Sequence, residues 1–154
     1  MRLASDQGAL LASDDGGATY RPIFQGTGTL LAFALSPDGS EIFVGGEADG
    51  IWGGPADGSA FAQRSTIRAR CLTHVGDAVY ACAREGLDGF TIGRSSDGAR
   101  TFEPVYHLPC LRGPVPCAAD SDIVTECTAP WTVTRQELKV DTCPQAATTG
   151  GGGT

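Results

Sequence analysis

The chain has one lysine (Lys139) and one methionine (Met1) in 154 residues, and its 11 basic side chains face 18 acidic ones for a net charge of −7. So few cations argue against nucleic acid or an anionic membrane as a partner, because binding phosphates needs clustered Lys or Arg. No run approaches the roughly 20 apolar residues of a membrane-spanning helix, so membrane insertion is not expected. The opening MRLASDQGALLASD lacks an apolar stretch of about 7–15 residues and carries Asp6, so it does not read as a secretory signal. Histidine is confined to His74 and His107 and no C-x-x-C pair occurs, which leaves no pattern for a zinc site. No Ser-His-Asp spacing, phosphate loop or nucleotide fingerprint is present, and no metal or cofactor is implied.

Glycine, by contrast, is abundant at 22 residues and separates short apolar runs, the composition of a turn-rich β protein. Six cysteines, Cys71, Cys82, Cys110, Cys117, Cys127 and Cys143, all lie beyond residue 70. An even count favours disulfides and an oxidising compartment. An exported type of body without an export signal leads to the expectation that Met1 is not the natural start of the mature domain.

The acidic, glycine-rich stretch SDDGGATY (13–20) recurs as GPADGSAF (54–61) and SSDGARTF (95–102). Its closing aromatics, Tyr20, Phe61 and Phe102, are spaced by 41 residues (61 − 20 and 102 − 61). Between the copies, TLLAFALSPDGSEIFVGG (29–46) aligns with STIRARCLTHVGDAVYACA (65–83), with one gap at a turn. Each segment predicts a strand, a tight turn and a second strand. Leu31, Phe33 and Leu35 alternate with small residues, Pro37-Asp38-Gly39 turns the first segment, and Gly76-Asp77 turns the second. A third strand starts at Gly50 and at Gly89, and a fourth covers 19–24, 60–65 and 101–106. Four strands per repeat, almost no helix and a period of roughly 40–50 residues are the marks of propeller blades.

The pattern S-x-D-x-G-x-T-aromatic resembles the Asp-box, or BNR, repeat of sialidase-like β-propellers, over roughly residues 1–108. Ser13, Asp15, Gly17, Thr19 and Tyr20 match it in full. Ser95, Asp97, Thr101 and Phe102 match with Ala99 at the glycine position, while the middle copy keeps Gly58 and Phe61 and has Ala56 in place of the aspartate. The resemblance implies that the box is a turn between the third and fourth strands of a blade. The residue chemistry fits. Asp accepts backbone N–H groups across a turn, Gly tolerates positive φ, and the Thr and aromatic start the next strand and pack between sheets. Asp15 and Asp97 are therefore expected to be structural. The spaced carboxylates and closing Glu of a calcium loop are missing.

The architecture expected is all-β: a partial β-propeller of about two and a half four-stranded antiparallel blades, plus a Cys-rich C-terminal segment. The blades divide as a partial one over 1–28 and two more over 29–65 and 66–108, followed by a closing segment over 109–147 and a Gly-rich linker over 148–154. Closed propellers have about 4–8 blades, so the chain is expected to be the C-terminal part of a longer propeller, or copies would associate to complete one and cover the open faces and edges. Cys71 and Cys82 fall opposite one another across the hairpin at Gly76-Asp77, positioned for a cross-strand disulfide or as two buried thiols. Cys110, Cys117, Cys127 and Cys143 can pair in three ways, and the short intervening loop favours Cys110–Cys117. A short helix is expected from Pro130-Trp131 onward, with Trp131 and Leu138 facing the last blade. The ending TTGGGGT is a flexible linker and resembles the linker ahead of the C-terminal sorting tail of bacterial surface proteins.

The best-known enzymes with this repeat, the sialidases, use an arginine cluster, a tyrosine activated by glutamate, and an acid-base aspartate. Tyr20-Arg21-Pro22-Ile23-Phe24 is similar to their arginine motif, but the repeat places Arg21 with Ala62 and Glu103 on an outer strand, away from any central site. Glu47, Asp49, Glu85 and Asp88 lie in loops between second and third strands, either ringing one mouth of a propeller or as solvated turn residues. Arg68, Arg70, Arg84, Arg94 and Arg100 form a mildly basic zone that would bind an anionic glycan or keep strand edges soluble. His74 and His107 are isolated. The leading expectation is a non-catalytic scaffold or binding module of an exported bacterial propeller, extracellular or on the cell surface, with a protein or glycan as partner. The alternatives are a fragment of a sialidase-like glycoside hydrolase and an assembly factor.

Overall fold

In the computed structural model the described residues are 1–113, 118, 120–140 and 143. Two compact units divide the chain, Met1–Tyr106 and His107–Thr154.

The first unit consists of three antiparallel sheets that follow one another along the chain. Strands β1 (Arg2–Ala4), β2 (Ala9–Ala12) and β3 (Arg21–Gln25) form the first. The second contains β4 (Leu30–Leu35), β5 (Glu41–Gly46), β6 (Gly50–Pro55) and β7 (Ala62–Ser65). The third contains β8 (Cys71–Val75), β9 (Ala78–Cys82), β10 (Ile92–Ser95) and β11 (Glu103–Tyr106). In every sheet each strand pairs with its neighbour in sequence, so each is a simple meander.

The sheet boundaries follow from the turn chemistry. β3, β7 and β11 each start two residues later than the sequence pattern predicts; ahead of β3 and β11 the expected first residue, Thr19 or Thr101, bonds back to the aspartate of the preceding turn instead. β10 starts at Ile92 rather than Gly89. The intervening Glu85–Asp88 closes instead into one helical turn, α1, ended by Gly89 at φ 81°. Phe90 then turns inward, 2% exposed, and stacks on Phe102 at 5.9 Å.

The core lies between the sheets. Leu10, Ala12 and Ile23 of the first sheet meet Leu30, Ile42 and Val44 of the second. Phe43 and Ile51 of the second meet Val79 and Ala81 of the third, together with Ala69 and Ala99. Consecutive residues Ile42, Phe43 and Val44 are all fully buried. A strand points successive side chains to opposite faces, so β5 is covered on both sides and the second sheet is packed between the other two. β4 keeps the alternation of a half-covered strand, with Leu30, Ala32 and Ala34 buried and Leu31 and Leu35 exposed.

Cys71 pairs directly with Cys82 in the β8–β9 ladder, with Val75 opposite Ala78 across Gly76-Asp77, and the two cysteines form a disulfide. Closing a loop of this length removes about 3 kcal/mol of chain entropy from the unfolded state. Replacing both cysteines by serine is therefore expected to lower stability by about 3 kcal/mol, read as a lower urea midpoint.

In the second unit, a 3-10 turn at Leu108–Cys110 precedes helix α2 (Asp122–Glu137). Two expectations are corrected here. The helix begins eight residues before Pro130 (130 − 122), because Ser121 caps it by accepting the Val124 N–H, and Pro130 lies inside it. Leu138 is the residue that ends α2. Cys110 is bonded to Cys143, 33 residues away, rather than to Cys117, which lies outside the described residues. Loop length alone separates the two closures by only about 1.4 kcal/mol, so packing decides. Val140, 7% exposed, and Trp131 line one cavity with Pro109, Cys110 and Leu111, beside Cys143. Cys127 is a free, exposed thiol on α2. The two disulfides point to an oxidising, non-cytoplasmic environment. Among the described residues no helix is long and apolar enough to cross a membrane. The Gly-rich 148–154 lies outside the described residues.

Candidate functional site

The first and third boxes are turns with the same bonding. Ser13 Oγ donates to Asp15 Oδ1 at 2.8 Å and accepts the Gly17 N–H at 2.8 Å. Asp15 accepts the Thr19 N–H at 2.9 Å and the Thr19 hydroxyl at 2.6 Å. In the third sheet Ser95 Oγ donates to Asp97 at 2.8 Å and accepts the Ala99 N–H at 2.9 Å, while Asp97 accepts the Thr101 N–H at 3.0 Å and its hydroxyl at 2.6 Å. The glycine position is left-handed in all three copies, at φ 94° for Gly17, 82° for Gly58 and 63° for Ala99. At Gly58 a Cβ would also lie 2.6 Å from the Ile23 side chain of the first sheet. Ala99 tolerates this conformation while its methyl is buried in the core between the second and third sheets. The middle turn substitutes Asp57, which accepts the Ser59 N–H at 2.8 Å.

The closing aromatics differ. Phe61 packs on Phe24 of the first sheet at 4.9 Å, and Phe102 packs against the core between the second and third sheets. Tyr20 is 43% exposed, with the Arg2 guanidinium 6.0 Å from its ring centre. It has no preceding sheet among the described residues to pack on.

At the opposite ends of the strands the acidic loop residues part company. Asp49 is 8% exposed, neither a free mouth residue nor a solvated one. Its carboxylate accepts the Thr27 N–H at 2.8 Å, the Thr27 hydroxyl at 2.6 Å and the Gly28 N–H at 3.0 Å. Its backbone carbonyl accepts Trp52 Nε1 and Gln63 Nε2. The loop wraps so closely that a Cβ on Gly26 would lie 2.8 Å from the carboxylate. Asp88 holds the corresponding place in the third sheet. It too precedes a left-handed glycine, and it accepts from the Arg68 backbone N–H and pairs with the Arg68 side chain at 3.5 Å. Both aspartates fasten the segment entering a sheet to that sheet's middle loop. The sequence signal for this second repeated feature is Asp-Gly at 49–50 and 88–89. Glu85 accepts the Thr91 hydroxyl at 2.7 Å.

Glu47 remains at the surface and bridges two arginines. Arg70 Nε donates to one carboxylate oxygen at 2.9 Å, and Arg84 Nη2 lies 3.0 Å from the other. With Thr29, Leu31 and Ala48 they line a cleft of about 430 Å³. The remaining arginines are dispersed. Arg94 reaches Asp77 at 3.8 Å, Arg100 donates to the Asp97 carbonyl at 2.7 Å, and Arg21 lies 3.4 Å from Asp14 on the outer strand β3. His74 packs edge-on against Phe43 at 5.7 Å, and His107 leads into the 3-10 turn of the second unit. Among the described residues no three His, Cys, Asp or Glu side chains cluster as metal ligands.

The turn carboxylates are electrostatically distinct from the rest. Bonds from Thr19 and Ser13 hold Asp15, and bonds from Thr101 and Ser95 hold Asp97, far below the usual carboxylate range. Asp38, bonded by Ser36 and Ser40 in the β4–β5 turn, is lowered to about 2. Burial pushes Asp49 upward, but the Thr27 and Gly28 bonds outweigh it and leave a net lowering. A folded-state pKa below the unfolded one adds stability that is fully present above pH ~4 and is lost as pH falls through the folded value. The urea midpoint is therefore expected to fall steadily from pH 4 to pH 2. The double variant Asp15→Asn, Asp97→Asn is expected to show a shallower fall.

Compared with protein-family models and with curated proteins, the chain matches none.

Proposed function

We propose that this chain is a non-catalytic section of an Asp-box β-propeller, exported to the cell surface or beyond, which contacts a protein or glycan through its inter-strand loops. The observation that carries this reading is the identical Ser-Asp-Thr bonding at equivalent turns of the first and third meanders, with the second sheet buried between them. Serial face-to-face packing of four-stranded meanders is how blades are arranged around an axis. In this reading the box turns are structural joints, and the opposite strand ends, where Glu47, Arg70 and Arg84 meet, are the variable surface. The two disulfides support export.

The carboxylates expected for a hydrolase are otherwise engaged. Asp15 and Asp97 close turns, Asp49 is buried in three bonds, Asp88 pairs with Arg68, and Glu47 is held by two arginines. Incubation of the full chain with fluorogenic glycosides, sialosides included, is expected to give no turnover above the uncatalysed rate. Turnover abolished by a single carboxylate substitution would overturn the scaffold reading.

A further inference from the structure

The cleft at Glu47 is built from equivalent positions of two sheets. Thr29 and Arg70 stand just before β4 and β8, 41 residues apart (70 − 29), and Glu47 and Arg84 stand just after β5 and β9. The repeat has kept these positions at the sheet ends away from the box turns and changed their chemistry. Each oxygen of the Glu47 carboxylate takes one guanidinium nitrogen, at 2.9 and 3.0 Å. The two guanidinium groups are therefore spaced to fit the bite of one carboxylate. Their side chains are 53% and 45% exposed, and ion pairs this open contribute little to stability and exchange readily. The local charge is +1 in a chain whose net charge is −7.

We infer that this cleft docks an acidic peptide segment: an incoming Glu or Asp carboxylate takes the place of Glu47 between Arg70 and Arg84, and an adjoining aliphatic side chain rests on Leu31. Guanidinium forks are matched to carboxylates, and Leu31 offers an exposed apolar shoulder, 39% accessible. A sugar fits the lining less well. Its hydroxyls need acceptors, but only Thr29 and Glu47 supply side-chain acceptors, and no aromatic ring lines the cleft. This inference rests on the scaffold reading and assigns Glu47 the role of an internal competitor for the same two arginines.

The test is fluorescence anisotropy with a labelled, N-acetylated hexapeptide of alternating glutamate and leucine, on the full chain at low salt. Glu47→Gln removes the competitor and is expected to tighten binding about five- to tenfold, whereas Arg70→Gln with Arg84→Gln is expected to weaken it more than tenfold. Binding should also weaken as salt is added. Unchanged thermal midpoints in the variants show that the fold is intact. Equal binding of the glutamine-for-glutamate peptide, no gain in Glu47→Gln, or preference for a uronate oligosaccharide over the peptide would each overturn the inference. None of these results would touch the scaffold reading, which glycoside turnover tests separately.

Discussion

Phe43→Ala is expected to destabilise the Met1–Tyr106 unit by about 3–5 kcal/mol, the usual cost of emptying a well-packed aromatic site. Phe43 is fully buried in the cluster joining the second and third sheets, and its ring is flanked by His74 and by the backbone at Gly53. A small domain is stable by only about 5–15 kcal/mol, so this one change consumes a large share. Leu35→Ala on the neighbouring strand removes a side chain that is 38% exposed. It is expected to cost well under that, about 1 kcal/mol or less. Urea denaturation of both variants separates a core made between sheets from one made within a sheet. Similar losses for the two would contradict the packing described.

Asp49→Ala is expected to cost about 2–4 kcal/mol, because it leaves the Thr27 and Gly28 N–H groups and the Thr27 hydroxyl without their buried acceptor. Asp49→Asn keeps one acceptor oxygen but turns a new donor toward existing donors, so it is expected to recover only part of the loss. The local signature is hydrogen exchange: the amides of Thr27 and Gly28 should lose protection in Asp49→Ala, ahead of the ladder amides of β5. Asp14→Ala, at a side chain that is 80% exposed, should leave the urea midpoint unchanged.

The meanders were legible because their turns carry strong local chemistry. Pro37-Asp38-Gly39 and Gly76-Asp77 are strong turn formers, and the turn at Gly76-Asp77 sets the register that places Cys71 opposite Cys82. The pattern places the box threonines at the start of the next strand, but their side chains bond backward to Asp15 and Asp97, which delays that strand by two residues. The role of Asp49 was hidden, since its partners lie about 20 residues upstream and no local pattern distinguishes a buried acceptor from a solvated one. The Glu47–Arg70–Arg84 cleft was missed for a related reason. In the sequence the acidic loops and the basic zone are separate features, and only the packing of successive sheets brings residues 23 and 37 positions apart (70 − 47 and 84 − 47) together. In the second unit, Pro130 suggests a helix start, although Ser121 provides an earlier cap.

The proposed reading takes these sheets as consecutive blades of a propeller, with the outer sheets uncovered within this chain. β1 is an unpaired edge of the first sheet, and the third sheet carries exposed Val75 and Val105, 60% and 57% accessible. Open edges and faces of this kind tend to pair. The most direct measurement is sedimentation equilibrium of the 154-residue chain under oxidising conditions. The account predicts a weight-average mass that climbs above 15.8 kDa as concentration rises. A mass constant at 15.8 kDa across the concentration range, from a folded and cooperatively melting monomer, would contradict it.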